Sequence, residues 1–287
     1  MPAARLRSVL YVPGANERAL EKARDLPADG LIFDLEDAIA PEAKQRARDC
    51  ACEAARSGAY PSHTVAIRIN AIGTPWHADD LAAAVAARPD AIVVPKVGSP
   101  ADVLAIERAL GQHGDRQISI WAMLETPAAV LRAAEIAAAG TRLSVLVMGT
   151  NDLLAELRAQ ELPDRRPLEV SLMLCLLAAR AAGRPILDGV YNDVRDATGF
   201  EAECLAARQL GLDGKTLIHP SQVEICNRVF APTEHELKHA RRVIEAFRQA
   251  AEAGEGVATL DGRLIEQLHV QSARRALGYP DDPDASK

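Results

Sequence analysis

Short apolar runs alternate with amphipathic stretches along most of the chain. The apolar runs predict strands at 8–12, 31–33, 65–69, 91–94, 118–124, 143–148, 186–190 and 215–218. The amphipathic stretches predict helices at 16–26, 41–57, 77–87, 100–112, 127–139, 168–182, 197–210 and 220–229. Continuously apolar strands separated by helices are typical of a parallel sheet covered on both faces. Eight such units within about 230 residues predict a closed (β/α)8 TIM barrel.

An open, doubly wound sheet is the alternative with the same alternation, but no Gly-x-Gly-x-x-Gly sequence opens any of these helices. We therefore predict a barrel domain at 1–230 and a C-terminal helical extension, or lid, at 231–287. The extension has a long helix at 234–252, then a short strand-like piece and a helix within 257–278. It is too small for a core of its own, so it should pack on the barrel or on a neighbouring subunit. The last residues, 280–287, are predicted to be disordered.

Composition narrows the class of protein. The 287 residues are 48% hydrophobic and 25% charged, with a net charge of -7, which indicates a globular protein without a basic surface for nucleic acid. No apolar run reaches the roughly 20 residues of a membrane span, and the first residues do not form a signal peptide. Five cysteines without framework spacing predict reduced thiols and a cytoplasmic location.

Two carboxylates follow neighbouring predicted strands. Glu125 comes directly after the fifth strand, and Asp152 follows the sixth. The active site of a TIM barrel lies at the carboxyl ends of its strands, so the two side chains should converge there. Buried carboxylates need a compensating partner, and hard oxygen ligands without His or Cys favour Mg²⁺ over zinc. Mg²⁺ typically takes one or two carboxylates and leaves its other positions to water and substrate.

Arg68, at the end of the third strand, adds a planar cation that can hold a substrate carboxylate through two hydrogen bonds. Arg68 and the predicted metal together indicate a binding site for a small 2-oxo or 2-hydroxy acid. The alternative is a structural ion pair between Arg68 and Asp34 or Glu36. These acids, together with Asp37, are also predicted to orient Arg68 and the water molecules around the metal.

Two further residues each allow two interpretations. Lys96, at the end of the fourth strand, is either a Schiff-base lysine or an electrostatic lysine that nearby acids keep protonated. We favour the electrostatic role. His219, after the eighth strand, is either a general base or part of a capping turn, and we favour the turn.

Seven short motifs occur in order at the spacing of a barrel. They are Ser8-Val9-Leu10-Tyr11-Val12-Pro13-Gly14, Asp34-Leu35-Glu36-Asp37, Arg68-Ile69-Asn70, Val94-Pro95-Lys96, Leu124-Glu125-Thr126, Gly149-Thr150-Asn151-Asp152-Leu153 and Ile218-His219-Pro220-Ser221-Gln222. With these motifs the chain resembles the citrate lyase β-subunit-like, or acyl-CoA lyase, branch of the HpcH/HpaI aldolase family. The resemblance implies a Mg²⁺-dependent carbon–carbon lyase. Its substrate would be a β-hydroxyacyl-CoA thioester such as citramalyl-CoA, malyl-CoA or citryl-CoA, and its products a 2-oxo acid and an acyl-CoA.

The resemblance also implies roles for individual residues. Glu125 and Asp152 would be the metal ligands, with Glu125 also near the substrate, and Arg68 would hold the substrate carboxylate. Tyr11 and Arg18 would lie near the thioester or the phosphates of CoA.

In the CoA lyases of this family, an acidic residue from the C-terminal segment of a neighbouring subunit completes the site as acid or base. Glu266 stands where the family usually has Asp, and Asp261 is the fallback. The resemblance therefore also implies a homotrimer or homohexamer. Three alternatives stay open: a citrate lyase β subunit acting on a carrier-bound citryl thioester, a class II aldolase, and a thioesterase on the same metal site.

Overall fold

The computed structural model describes residues 5–114, 117–254 and 257–279. These residues divide into two compact units, 5–230 and 231–279. The predicted disorder at 280–287 falls outside the described residues. No helix in the described part of the chain is both long and apolar enough to cross a membrane.

The first unit is a closed barrel of eight parallel strands joined in sequence order, as the alternating pattern predicted. The strands are β1 (Ser8–Pro13), β2 (Gly30–Asp34), β3 (Thr64–Arg68), β4 (Ala91–Val94), β5 (Ser119–Leu124), β6 (Leu143–Met148), β7 (Ile186–Asp188) and β8 (Gly214–Leu217). The helices are α1 (Glu17–Ala23), α2 (Lys44–Arg56), α3 (His77–Ala87), α4 (Pro100–Gln112), α5 (Pro127–Leu131), α6 (Ala133–Ala137), α7 (Thr150–Glu156), α8 (Arg166–Ala181), α9 (Ala197–Leu210) and α10 (Val223–Phe230). One-turn 3₁₀ helices at Pro41–Ala43 and Pro220–Gln222 precede α2 and α10.

The strands bury both of their faces. Side chains alternate between the two faces of a strand, so every second residue points into the barrel. The interior is filled by one cluster, which comprises Val9, Ile32, Ala66, Ala91, Val93, Trp121, Met123, Val145, Val147 and Leu187. The residues between them pack outward against the helices in a second, larger cluster. Burial on both faces explains why the strands read as continuous apolar runs.

Two helical segments differ from the sequence prediction. The helix predicted at 127–139 is two short helices, α5 and α6, with a break at Arg132. The sequence pattern also missed α7, which begins directly after β6 and Gly149. Asp152 therefore lies in the first turn of a helix rather than in an extended strand end, where the partial positive charge of the helix N-terminus favours a carboxylate.

The second unit consists of α11 (Glu234–Glu252), β9 (Ala258–Leu260), β10 (Arg263–Ile265) and α12 (Gln267–Ala276). β9 and β10 form an antiparallel hairpin, where the sequence indicated one strand-like piece. Thr233 begins α11 with a capping box, in which its side chain accepts from the backbone of Glu236. A small apolar cluster that includes Val243, Ile265 and Val270 joins the two helices and the hairpin.

Candidate active site

The two-residue period of the strands carries polar side chains to the carboxyl end of the barrel interior. Tyr11, Asp34, Arg68 and Glu125 each stand two positions after a residue of the interior cluster. Asp34 and Arg68 are also direct register partners on β2 and β3. The inner cluster comprises these four residues together with Glu36, Asp37 and Lys96 from the adjoining loops and Asp152 from α7.

Arg68 is held by acids rather than left free. Its Nε and Nη2 atoms each donate to one oxygen of Asp34 at 2.7 Å. Its Nη1 atom lies 3.0 Å from Glu36 Oε2 and 3.6 Å from Asp37 Oδ2. Burial opposes the charge, but the attraction of Asp34 raises the pKa of Arg68 well above its ordinary value. The structural ion pair of Arg68, which the sequence offered as an alternative, is therefore present. Asp34 already occupies the Nε–Nη2 edge of the guanidinium.

Glu36 has the least satisfied side chain of the inner cluster. It is 6% exposed, and its Oε2 atom, although near Arg68, receives no hydrogen bond from the described residues. Its Oε1 atom lies 3.8 Å from Lys96 Nζ. Burial raises the pKa of Glu36 to about 7, against the attraction of Arg68. One buried acceptor of this carboxylate thus faces the site without a donor.

Lys96 is the cation on the opposite side of Glu36. Burial lowers its pKa, but Glu36 and Asp152 outweigh burial and raise it above the ordinary lysine value. A lysine that stays protonated is a poor Schiff-base nucleophile, which agrees with the electrostatic role predicted for it. Its backbone has a positive φ of 53°, and its amide N–H donates to Glu125 Oε1 at 2.5 Å.

Glu125 and Asp152 come from neighbouring positions, because β5 and β6 pair with Leu124 opposite Met148. Glu125 is 1% exposed, whereas Asp152 is partly exposed. Burial, together with the charges of Asp152 and Glu36, raises the pKa of Glu125 to about 8. Gly149 makes room for this side chain, since a Cβ at that position would clash with Glu125 Oε2.

The inner cluster fits a divalent cation. Five carboxylates, Asp34, Glu36, Asp37, Glu125 and Asp152, surround two cations, so the site lacks positive charge. The donors are oxygens, which suit Mg²⁺. Among the described residues, no three His, Cys, Asp or Glu side chains form a complete cage. Proteins commonly hold Mg²⁺ through one or two carboxylates and leave its other coordination positions to water and substrate.

Tyr11 packs over Arg68 inside the barrel. The Arg68 Cζ atom lies 4.7 Å from the ring centroid, and the phenol oxygen lies 3.8 Å from Met123 Sδ. Burial raises the pKa of Tyr11, so the phenol stays protonated at neutral pH. Met123 was missed by the sequence reasoning, although it has the same inward parity as Glu125. Arg18, the other predicted CoA contact, is exposed in the first turn of α1.

The two predicted C-terminal acids belong to the second unit. Asp261 lies in the turn between β9 and β10 and accepts from Arg242 Nη2 at 2.6 Å. This hydrogen bond lowers the pKa of Asp261, which makes it a poor proton donor near neutral pH. Glu266 is exposed directly before α12, and its backbone N–H donates to His269 Nδ1 at 3.0 Å.

His219 forms the turn that the sequence indicated. Its Nδ1 atom accepts from the backbone N–H of Ser221 at 3.2 Å, and the backbone N–H of His219 donates to Gln222 Oε1 at 3.3 Å. The ring thus caps the 3₁₀ turn before α10.

A second buried charge cluster, missed by the sequence reasoning, lies on the outer face of β7 and β8. Lys215 Nζ donates to Asp188 at 2.7 Å and to Glu203 at 2.6 Å. Arg165 makes two hydrogen bonds to Asp188, at 2.8 and 2.6 Å. Burial alone would raise the pKa of Asp188, but Lys215 and Arg165 hold it at about 2. These four residues are called the outer network.

Sequence comparisons identify relatives along nearly the whole chain. A family model for HpcH/HpaI aldolase/citrate lyase matches residues 7–220. The chain is 48% identical over 271 residues to a (3S)-malyl-CoA thioesterase of Cereibacter sphaeroides, covering 94% of this chain and 93% of the relative. It is 37% identical over 278 residues to the citrate lyase subunit beta of Escherichia coli, covering 94% and 92%.

Solved structures share the fold. The protein CitE from Mycobacterium tuberculosis, in complex with magnesium, acetoacetate and coenzyme A, matches with a TM-score of 0.78 and 29% identity over 96% of this chain and 98% of that one. A citrate lyase from Burkholderia xenovorans matches with a TM-score of 0.82 at 20% identity over 98% and 95%, which shows the fold alone.

Proposed function

Because the chain belongs to the HpcH/HpaI aldolase/citrate lyase family, we propose that it is a Mg²⁺-dependent lyase of β-hydroxyacyl-CoA thioesters. The observation that carries this proposal is the charge of the inner cluster, in which Glu125 and Asp152 stand together without enough cations to balance them. We take malyl-, citramalyl- and citryl-CoA as the substrate class. The products are a 2-oxo acid and an acyl-CoA.

In this proposal Glu125 and Asp152 hold the cation. When bound, Mg²⁺ supplies Lewis-acid stabilisation of charge on the oxygens of the acid portion. Arg68 and Lys96 add fixed positive charge beside the substrate carboxylate. Because Asp34 occupies the Nε–Nη2 edge of Arg68, we assign the substrate to the Nη1 end of the guanidinium, which it would share with Glu36 and Asp37.

The surrounding acids keep these groups in place. Asp34 fixes the plane of the Arg68 guanidinium through two hydrogen bonds. Glu36, whose Oε2 atom receives no hydrogen bond from the described residues, would orient water molecules beside a bound cation. The Tyr11 ring covers one face of the Arg68 guanidinium and excludes water from that side, which strengthens the charge interactions inside the site.

In the lyase reaction a base takes the proton of the substrate hydroxyl, the C–O⁻ group becomes the carbonyl of the 2-oxo acid, and the electrons of the broken carbon–carbon bond form an enolate on the acyl-CoA. This enolate needs a proton at carbon. We assign this proton transfer to Glu266 of a neighbouring subunit, with the second unit serving as a lid in a homotrimer or homohexamer. Asp261 is the weaker candidate, because its ion pair with Arg242 keeps it ionised. Arg18 is placed with the CoA phosphates. The five free thiols support the cytoplasm as the location.

Hydrolysis of the same thioesters is the second candidate function. It is favoured by the 48% identity to a (3S)-malyl-CoA thioesterase, which exceeds the 37% identity to a citrate lyase subunit beta. In that reaction water attacks the thioester carbonyl, and free CoA leaves with the proton.

One assay separates the two reactions. The purified chain is incubated with malyl-, citramalyl- or citryl-CoA and Mg²⁺, and both 2-oxo acid and free thiol are measured. A lyase releases the 2-oxo acid with acyl-CoA and no thiol, whereas a thioesterase releases thiol and the intact hydroxy acid. Turnover that EDTA leaves unchanged, or the absence of both products with every thioester, contradicts the proposed function. Activity only on a carrier-bound citryl thioester assigns the chain as a citrate lyase β subunit instead.

The role of Glu266 has its own test. Glu266→Gln should lower turnover strongly while leaving Mg²⁺ binding unchanged, because the residue handles a proton rather than the metal. Glu252→Gln, an exposed change at the end of α11, is the control. Wild-type turnover in Glu266→Gln removes this residue from the mechanism.

A further inference from the structure

A buried lysine that the mechanism does not use lies at the start of α2. Lys44 is 6% exposed, and its ammonium donates to Leu35 O at 2.8 Å, Glu36 O at 2.8 Å and Asn70 Oδ1 at 2.7 Å. A lysine ammonium has three donors, so each of them has a partner. Its Nζ atom also lies 5.1 Å from the centre of the Trp76 ring.

The partner of Lys44 on the next loop is fixed in turn. Asn70, after β3, donates from its backbone N–H and its side chain to Asp80 Oδ2, at 3.0 and 2.5 Å. Asp80 is fully buried and accepts from Arg48 Nε at 2.8 Å. The Asn70 side chain also donates to Leu35 O at 2.9 Å. A single buried hydrogen-bond network therefore joins the loops that follow β2 and β3.

The loop held by this network carries Glu36. On one side, the Asp34 carboxylate accepts from the backbone N–H groups of Glu36 and Ala38, at 2.9 and 3.2 Å. On the other side, the carbonyl groups of Leu35 and Glu36 receive the Lys44 ammonium. The Glu36 carbonyl also accepts from the backbone N–H of Ile39 at 3.0 Å, and Leu35 O accepts from Asn70, so both carbonyl groups stay paired without the ammonium. What the loop would lose is the one group that ties Leu35 O, Glu36 O and Asn70 Oδ1 to a single point, and with it two buried hydrogen bonds that hold the backbone at Glu36.

We propose that Lys44 is a positioning residue, which fixes the backbone at Leu35 and Glu36 so that the Glu36 carboxylate faces Arg68 and Lys96. This inference rests on the proposed function, in which Glu36 supports the metal and the substrate. Lys44 acts from outside the site, through the backbone of the residue that it holds.

The sign of the effect on Mg²⁺ binding distinguishes this role from simple electrostatics. Removing a cation from the neighbourhood of the site should by itself tighten the binding of Mg²⁺. Displacing the Glu36 carboxylate should weaken that binding, because it removes negative charge from the site. Weaker binding in a Lys44 variant therefore reports movement of Glu36.

The experiment compares Lys44→Met, Glu36→Gln and the double variant by calorimetric titration with Mg²⁺ and by kcat and KM for the active thioester. Each single change should weaken Mg²⁺ binding and lower kcat/KM by roughly 10–100-fold, the range found for groups that support metal ligands. The double variant should lose no more than the worse single variant, because both changes remove the same carboxylate contact. Arg46→Met, an exposed change on α2, should alter neither quantity.

Additive losses, or Mg²⁺ binding that is unchanged or tighter in Lys44→Met, overturn the inference. If Lys44→Met does not fold, Lys44→Gln keeps two N–H donors for the carbonyl groups and should give a smaller loss of the same sign; tighter binding in it overturns the inference equally. If the wild type cleaves none of the thioesters, the proposed function fails, and the Mg²⁺ titration still decides the role of Lys44.

Discussion

The inner cluster and the outer network are both buried charge clusters of the same barrel wall, but they differ in balance. In the outer network, two acids, Asp188 and Glu203, meet two cations, and their contacts are 2.6–2.8 Å for all but one pair. In the inner cluster, five carboxylates meet two cations, and Glu36 Oε2 has no donor among the described residues. Burial raises the pKa of Glu125 in the inner cluster, whereas Lys215 and Arg165 lower the pKa of Asp188 in the outer network.

This difference separates structural charge from functional charge. A buried ion pair whose hydrogen bonds are complete stabilises the position of its neighbours and has no capacity left for a ligand. A buried cluster with excess negative charge destabilises the empty protein and gains free energy when a cation binds. The same chemical groups thus serve opposite purposes, depending on whether their charges are matched within the chain.

The largest expected effect concerns activity. Glu125→Gln should lower turnover by at least about 10³-fold, because the loss of one metal ligand removes several kcal/mol of charge stabilisation. Its thermal stability without metal should equal or exceed that of the wild type, since a repelling carboxylate is gone. Steady-state kinetics and calorimetry measure the two effects, with the exposed Glu169→Gln on α8 as the control. A variant with full Mg²⁺-dependent activity contradicts the metal site.

The outer network should respond in the opposite way. Asp188→Asn should destabilise the protein by about 3–5 kcal/mol, because it removes the buried acid that Lys215 and Arg165 share and leaves Glu203 alone against two buried cations. Denaturant unfolding measures this loss. Glu201→Gln breaks the exposed pair with Arg228 and should cost less than about 1 kcal/mol. Equal losses of unfolding free energy in the two variants would mean that the outer network does not stabilise the barrel.

The pH dependence of stability should follow the inner cluster. The pKa values of Glu125 and Glu36 are raised from 4.5 to about 8 and about 7, so the folded state holds protons that the unfolded chain has already released. The free energy of unfolding of the metal-free protein should therefore fall, by on the order of a few kcal/mol, as the pH rises from about 4.5 to 8.

Mg²⁺ should reverse this trend, because the ligands must be deprotonated to bind it. The increase in melting temperature on adding Mg²⁺ should be larger at about pH 8 than at about pH 6. Scanning calorimetry with and without EDTA tests both expectations. A metal-free protein that becomes more stable across this pH range would show that these carboxylates are ionised and balanced.

The smallest expected effect is steric. Gly149→Ala places a methyl group against the Glu125 side chain and should cost about 1–3 kcal/mol, with weaker Mg²⁺ binding. Gly111→Ala in α4 has open space around it and should stabilise the helix by up to about 1 kcal/mol. Unfolding curves and Mg²⁺ titrations compare the two, and unchanged Mg²⁺ binding in Gly149→Ala would show that Glu125 has room to move.

Part of the site could be predicted from the sequence, because Glu125 and Arg68 are charged residues that directly follow apolar runs. Asp188 and Lys215 were overlooked for the opposite reason: each is a single charge inside a run interpreted as an apolar strand. Each is adjacent to an inward-facing residue, Asp188 to Leu187 and Lys215 to Thr216, so its own side chain faces the helix layer. This alternation is the signal that could have identified them. The helix α7 was missed because its seven residues span only two turns, too few for a periodic pattern.

The sequence by itself determined the barrel and the parity of its strands, since a two-residue period assigns each side chain to the interior or to the helix layer. That parity already directs Arg68, Asp34 and Glu125 toward one end of one cavity. Only the tertiary structure decided which charges are matched. Asp188 pairs with Arg165, and the Lys44 ammonium donates to the backbone carbonyl of Glu36. Both contacts depend on the geometry of loops, which no local sequence pattern encodes.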